Sequence, residues 1–126
     1  MSKKIISTPD APAAIGPYSQ AILAGNTLYC SGQIALNPAT GELVMDSIEA
    51  ETHQVMSNVK AVLAAADMDL TNVVKCSIFM SSMDYYGAIN TVYAEYFTEN
   101  PPAREAVAVK TLPKGVNVEI SVTAVK

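Results

Sequence analysis

The chain has 126 residues, half of them apolar, with eight basic and twelve acidic side chains and a net charge of −4. That length suits a single domain with its own core, and the apolar content excludes a disordered chain. The basic residues are scattered, so the pattern offers neither a nucleic-acid footprint nor a polybasic membrane patch.

The opening "MSKKIISTPD" turns polar after two isoleucines, and no apolar stretch reaches spanning length. It reads as neither a signal peptide nor an anchor, and a cytoplasmic location is the expectation. "AILAGNTLYCSGQI" reads as a β-hairpin, because two β-prone runs flank Gly25-Asn26, a pair that accepts positive φ. After the "NPATGE" loop, Asp46 and Glu49 stand three apart and offer a capping box. Ile48, Val55, Met56, Val59, Val62, Leu63 and Ala66 then recur mostly at three and four, which predicts an amphipathic helix of about five turns.

"TNVVKCSIFM" follows as a strand whose near-continuous apolar run suggests a central position. Asp84 offers a cap for a second helix, with Tyr86, Ile89, Val92, Tyr93, Tyr96 and Phe97 as its stripe. Asn100-Pro101-Pro102 stops it, because proline disfavours the α conformation in its predecessor. Two strands close the chain, from about Arg104 to Lys110 and from about Val116 to Val125.

The order is ββαβαββ, an α+β arrangement in which both helices cover one face of a mixed sheet. In the last strand Val116, Val118, Ile120 and Val122 point one way, and Asn117, Glu119, Ser121 and Thr123 the other. In the strand before it, Arg104, Ala106 and Ala108 share a face opposite Glu105, Val107 and Val109. The small and polar second face suits either water or a subunit interface.

Arg104 stands out chemically. A strand-end arginine is commonly solvated or paired with a glutamate. A guanidinium behind a proline-restricted loop also presents two parallel N–H donors that match a carboxylate. Glu119 reads either as a solvated carboxylate or as a group that holds a water or exchanges a proton. Tyr18, after Gly-Pro in "IGPYSQA", has its direction set by a turn. Ser31-Gly32 in "CSGQ" marks either a bulge or a place where a ligand meets the backbone. Asn90 interrupts an apolar helix. Glu49 and Glu51 sit near a helix start, where dipole or solvation roles explain them. His53, the one histidine, lies in no catalytic or metal motif. Cys30 and Cys76 lie in strand-like runs with no paired spacing, so free thiols and no metal site are expected.

Taken together, "APAAIGPYSQA", "LYCSGQIALNPATGEL", "THQVMSNVKAVLAAA", "NVVKCSIFM", "INTVYAEYF", "PPAR" and "LPKGVNVEI" resemble the RidA/YjgF/YER057c/UK114 family over nearly the whole chain. Within it the chain is similar to the imine-deaminating RidA subgroup. The resemblance implies one domain over residues 1–126 with a chorismate-mutase-like fold and a mixed six-stranded sheet. It implies a homotrimer with sites in the clefts between subunits. The implied reaction is cofactor-independent hydrolysis of 2-imino or enamine carboxylates, such as 2-aminoacrylate and 2-iminobutanoate, to 2-oxo acids and ammonia. By motif, Arg104 grips the carboxylate and Glu119 orients the water or shuttles a proton. Tyr18, Ser31 and Gly32 line the pocket, with Asn90 at its edge. Many members carry a cysteine two residues after the arginine; Ala106 stands at that lining position here, which excludes a thiol role for it. Two alternatives stay open: a carboxylate-binding regulatory or chaperone-like module, and the ribonuclease or translation-inhibitor activity ascribed to some relatives. The acidic balance, pI about 4.8, argues against RNA.

Overall fold

The computed structural model describes residues 2–126. Six strands and two helices follow in the order β1 (Lys3–Ile6), β2 (Ala21–Ala24), β3 (Thr27–Cys30), α1 (Ile48–Ala65), β4 (Val73–Met80), α2 (Tyr86–Tyr96), β5 (Ala103–Ala108) and β6 (Val118–Val125). They form one sheet in the order β1-β2-β3-β6-β4-β5. Only β4 and β5 run parallel; every other neighbouring pair is antiparallel. The expected six-stranded mixed sheet is present. Its sixth strand, β1, is the element that the order ββαβαββ leaves out.

Local chemistry accounts for most boundaries. Gly25 takes the positive φ, 61°, that the β2–β3 turn needs at its first loop position. Helix α1 begins one residue later than the capping-box reading places it. Ser47, not Asp46, is the cap, and its hydroxyl accepts from the Ala50 N–H at 3.0 Å. Asp84 does not cap α2 either. Ser82 accepts from the Asp84 N–H and starts a 3₁₀ turn, Met83–Tyr85, that leads directly into the helix. Asn100 adopts φ 47°, a conformation asparagine tolerates, and so turns the chain out of α2 before Pro101 and Pro102.

The core lies on one face of the sheet. Cys76, Ile78 and Met80 from β4 and Val118, Ile120, Val122 and Ala124 from β6 are buried beneath Val55, Met56, Val59, Val62 and Leu63 of α1 and Ile89 and Tyr93 of α2. Full burial of each large apolar side chain contributes about 1.5–3 kcal/mol. The opposite face carries Tyr29, Lys75, Ser77, Phe79, Glu105, Val107, Glu119, Ser121 and Thr123, all half-buried or exposed.

Three buried polar side chains tie loops to this frame. Glu51, which the pattern assigned to the helix end, is fully buried. Its carboxylate accepts from the Asn117 and Val118 N–H groups at 2.7 and 3.1 Å and from Asn117 Nδ2 at 3.1 Å. Asn58 Nδ2 donates to the Ile34 and Leu36 carbonyls, both at 2.9 Å. Gln20 accepts from the Thr8 N–H at 2.7 Å and donates to the carbonyls of Thr8, Ala11 and Pro12. No helix among the described residues is long and apolar enough to cross a membrane.

Candidate functional site

The residues singled out in the sequence fall into two groups on opposite faces of the sheet. Arg104, the second residue of β5, stands in register with Cys76 of β4, whose side chain is buried on the helix face. Its guanidinium therefore meets α2. Nη1 donates to Asn90 Oδ1 at 2.7 Å, and Nη2 donates to Tyr86 Oη at 2.8 Å. The Tyr93 ring centroid lies 4.9 Å from Cζ, within cation–π range. Burial, with Cys76 beside it, pushes the Tyr93 phenol upward, so the ring under the cation stays neutral.

This end of the fold encloses a cleft of about 440 Å³ lined by Asn90, Tyr93, Ala94, Phe97, Pro101, Pro102 and Arg104. The prolines and aromatic rings make its wall largely apolar, and Arg104 is the one charge on it. A guanidinium carries five N–H donors, and two are engaged by α2. The rest of the fork is available to a planar anion. Ala106 shares the Arg104 face, in register with Ile78, and packs against the core.

The second group lies beyond the end of β3. Ser31 donates its hydroxyl to the Ser19 carbonyl at 2.6 Å and its N–H to the Gln20 carbonyl at 2.9 Å. Those bonds hold the strand end against the loop that carries Tyr18, whose ring is exposed and whose N–H closes a turn onto the Gly16 carbonyl at 2.8 Å. Gln33 and Ile120 exchange both backbone hydrogen bonds, at 2.8 and 3.1 Å, so Gly32 is fixed directly against Glu119. A Cβ on Gly32 would come within 2.8 Å of Glu119 Cδ. The glycine at this point is there to admit a carboxylate side chain. Burial pushes the Glu119 carboxyl above the ordinary range, so it holds a proton more readily than a surface glutamate.

Arg104 and Glu119 do not meet within one chain. Arg104 aligns with Cys76 on β4 and Glu119 with Phe79, an odd offset that places them on opposite faces. Strand β4 also stands between β5 and β6, so their backbones are about 10 Å apart across the sheet. The structure thus unites Arg104 with Asn90 and Gly32 with Glu119, while Ser31 is bonded to the loop that carries the exposed Tyr18. In the sequence Tyr86 and Tyr93 stand out only as members of a helical stripe. The signal was their spacing from Asn90, four before and three after, which puts all three on the side of α2 that faces β5.

Comparison with known proteins agrees on one family, whose members carry different names. The family model described as endoribonuclease L-PSP matches residues 8–126. A RutC family protein of Pyrococcus horikoshii is 49% identical over 98% of this chain and 98% of its own length. A 2-iminobutanoate/2-iminopropanoate deaminase of Capra hircus is 47% identical over 98% of this chain and 90% of its own. The crystal structure of E. coli TdcF with bound serine superposes with a TM-score of 0.94 at 36% identity, covering 98% of each chain.

Proposed function

Because the chain belongs to the RidA/YjgF family, which the endoribonuclease L-PSP model describes, we propose that it hydrolyses 2-imino carboxylates to 2-oxo acids and ammonia. The observation that carries this reading is the Arg104 fork, clamped by α2 and facing an apolar cleft with donors to spare. A 2-imino acid needs a carboxylate receptor for binding and a proton-handling group near its C=N bond for hydrolysis. Arg104 supplies the first and Glu119 the second.

In the proposed reaction Glu119 orients a water toward the carbon of the protonated imine and takes a proton from that water as the C–O bond forms and the C=N electron pair settles on nitrogen. The neutral carbinolamine nitrogen receives that proton back from Glu119. The C–N bond breaks as the hydroxyl oxygen forms the C=O bond and gives its proton to the departing ammonia, and ammonium leaves with the 2-oxo acid. An enamine such as 2-aminoacrylate first gains a proton at its terminal carbon and then follows the same course. Orientation and acid–base help suffice for so reactive a bond, and no covalent nucleophile is required. A carboxyl held above its ordinary range by burial suits return of the proton to nitrogen.

The placement of Arg104 and Glu119 on opposite faces supports a site shared between copies. We infer a cyclic homotrimer in which the open sheet face of one copy presents Tyr18, Ser31, Gly32 and Glu119 to the Arg104 cleft of the next. Such a ring repeats one heterologous contact three times. An RNA substrate finds less support, since the net charge is −4 and Lys75 is already paired with Glu105 at 2.7 Å.

The test generates 2-iminobutanoate from threonine with a dehydratase and traps surviving imine with semicarbazide. Wild type should suppress the trapped product. Arg104→Ala should lose at least about thirtyfold of that activity, since removing one partner of such a pair costs about 2 kcal/mol or more. Arg104→Ala and Glu119→Gln chains, unfolded and refolded together in equal amounts, should regain about a quarter of wild-type activity, the share of shared sites with both groups intact. Unimpaired Arg104→Ala turnover would remove the anchor role, and mixtures no better than the separate variants would remove the shared site.

A further inference from the structure

The hydroxyl of Tyr86 is one part of this site that has no role so far. It accepts from Arg104 Nη2 at 2.8 Å, while Asn90 Oδ1 takes Nη1 at 2.7 Å. Tyr86 begins α2 and Asn90 follows four residues later, so one rigid helix face holds both ends of the guanidinium. Tyr93 adds a third point of contact, through its ring face at 4.9 Å from Cζ. Two hydrogen bonds at different nitrogens fix both the position and the rotation of a planar group. One bond alone leaves it free to swing about that bond.

We propose that Tyr86 is a positioning residue: its hydroxyl fixes the rotation of the Arg104 guanidinium so that the unengaged N–H groups face an incoming carboxylate. This rests on the carboxylate-anchor reading above. Arg104 reaches the helix from the end of an edge strand, behind two prolines whose own backbones donate nothing. The orientation of the fork therefore comes from α2. Nothing else among the described residues accepts a hydrogen bond from Nη2.

The effect is on binding, not on bond-making, because the carboxylate is held alike before and during hydrolysis. Removing the hydroxyl should raise KM and leave kcat nearly unchanged. Loss of one such hydrogen bond corresponds to about a three- to tenfold weaker carboxylate.

The experiment titrates 2-oxobutanoate and its uncharged amide into wild type, Tyr86→Phe, Arg104→Ala and the double variant, with binding read by NMR. Imine suppression by wild type is measured alongside. Phenylalanine keeps the ring, and a thermal melt checks that the fold is retained. The expected result is weaker 2-oxobutanoate binding in Tyr86→Phe, unchanged amide binding, and no further effect of Tyr86→Phe once Arg104 is gone. Equal 2-oxobutanoate affinity in wild type and Tyr86→Phe overturns the Tyr86 role while the anchor stands. Equal weakening of the acid and the amide also overturns it, since that marks a general loosening of the cleft. A wild type that neither binds 2-oxobutanoate nor suppresses imine overturns the parent reading and Tyr86 with it.

Discussion

Substitution of Gly32 by alanine separates the role of the Glu119 carboxylate from the stability of the fold. The new Cβ would stand 2.8 Å from Glu119 Cδ and 3.0 Å from Cγ, where ordinary contact begins at 3.4 Å. The backbone is pinned there by the two Gln33–Ile120 hydrogen bonds, so the side chain must give way. The carboxyl has to retreat by roughly 0.6 to 1.2 Å, and a misplacement of about 1 Å costs on the order of 10²-fold in rate. Stability should hardly change. Gly32 has no positive φ to forbid alanine. Stiffening the unfolded chain adds about 0.4–1 kcal/mol, which offsets the roughly 0.5–1.5 kcal/mol of a displaced Glu119 rotamer. Imine trapping and urea denaturation on the same preparation check both halves. An alanine variant with more than half of wild-type activity would refute the reasoning. Glu119→Gln assayed beside it shows whether the fault lies in the packing or in the role given to the carboxylate.

Glu51→Ala should be the opposite case. It strands the Asn117 and Val118 N–H groups in the core, a cost of about 2–6 kcal/mol against a typical total of about 5–15. An unfolding free energy from urea denaturation lowered by less than about 1 kcal/mol at fixed protein concentration would contradict the accounting. Glu119→Gln tests the raised carboxyl. A group whose native pKa lies above its unfolded value contributes stability below the unfolded value and loses it as pH rises through the native one. The melting temperature of Glu119→Gln relative to wild type should therefore climb as pH rises above the ordinary carboxyl range, and a difference that ignores pH would rule the effect out.

How much of this was legible in the sequence depends on how local each interaction is. The stripe from Val55 to Leu63 announces α1 because burial on a helix repeats every 3.6 residues, and the alternation in β6 announces which side Glu119 takes. Strand β1 escapes the same reading. It is four residues long, lies at the edge, and carries two exposed lysines, a composition that protects an edge and also hides its strand character. The helix caps were misplaced because Asp46 and Ser47 are both good caps, and only backbone geometry chooses between them.

Glu51 shows the deeper limit. Within its own helix it is one of two acidic residues in the first turn, and the dipole accounts for both. What buries it is a pair of backbone N–H groups 66 and 67 residues further on, at the entrance to β6. Those backbone donors leave little mark on the sequence, since any residue but proline at 117 and 118 offers the same N–H, and only Asn117 adds a side-chain donor. Their effect still reaches the chemistry, because Glu119 follows directly and its position depends on where β6 begins. The same asymmetry runs through the candidate site. Arg104 and Glu119 are visible as residue types, but parity fixes faces only within each strand: the small and polar residues of the last two strands read as one second face, and the register through β4 puts Arg104 and Ala106 on the helix face instead. That α2 would orient the guanidinium, and that a missing Cβ at Gly32 would make room for the carboxylate, follow only from the packing of elements that are distant in the chain. A site divided between two faces of one sheet also has no single-chain solution by side-chain rotation. On the proposed reaction, the separation of Arg104 and Glu119 within one copy is what calls for a neighbouring copy to supply the other half.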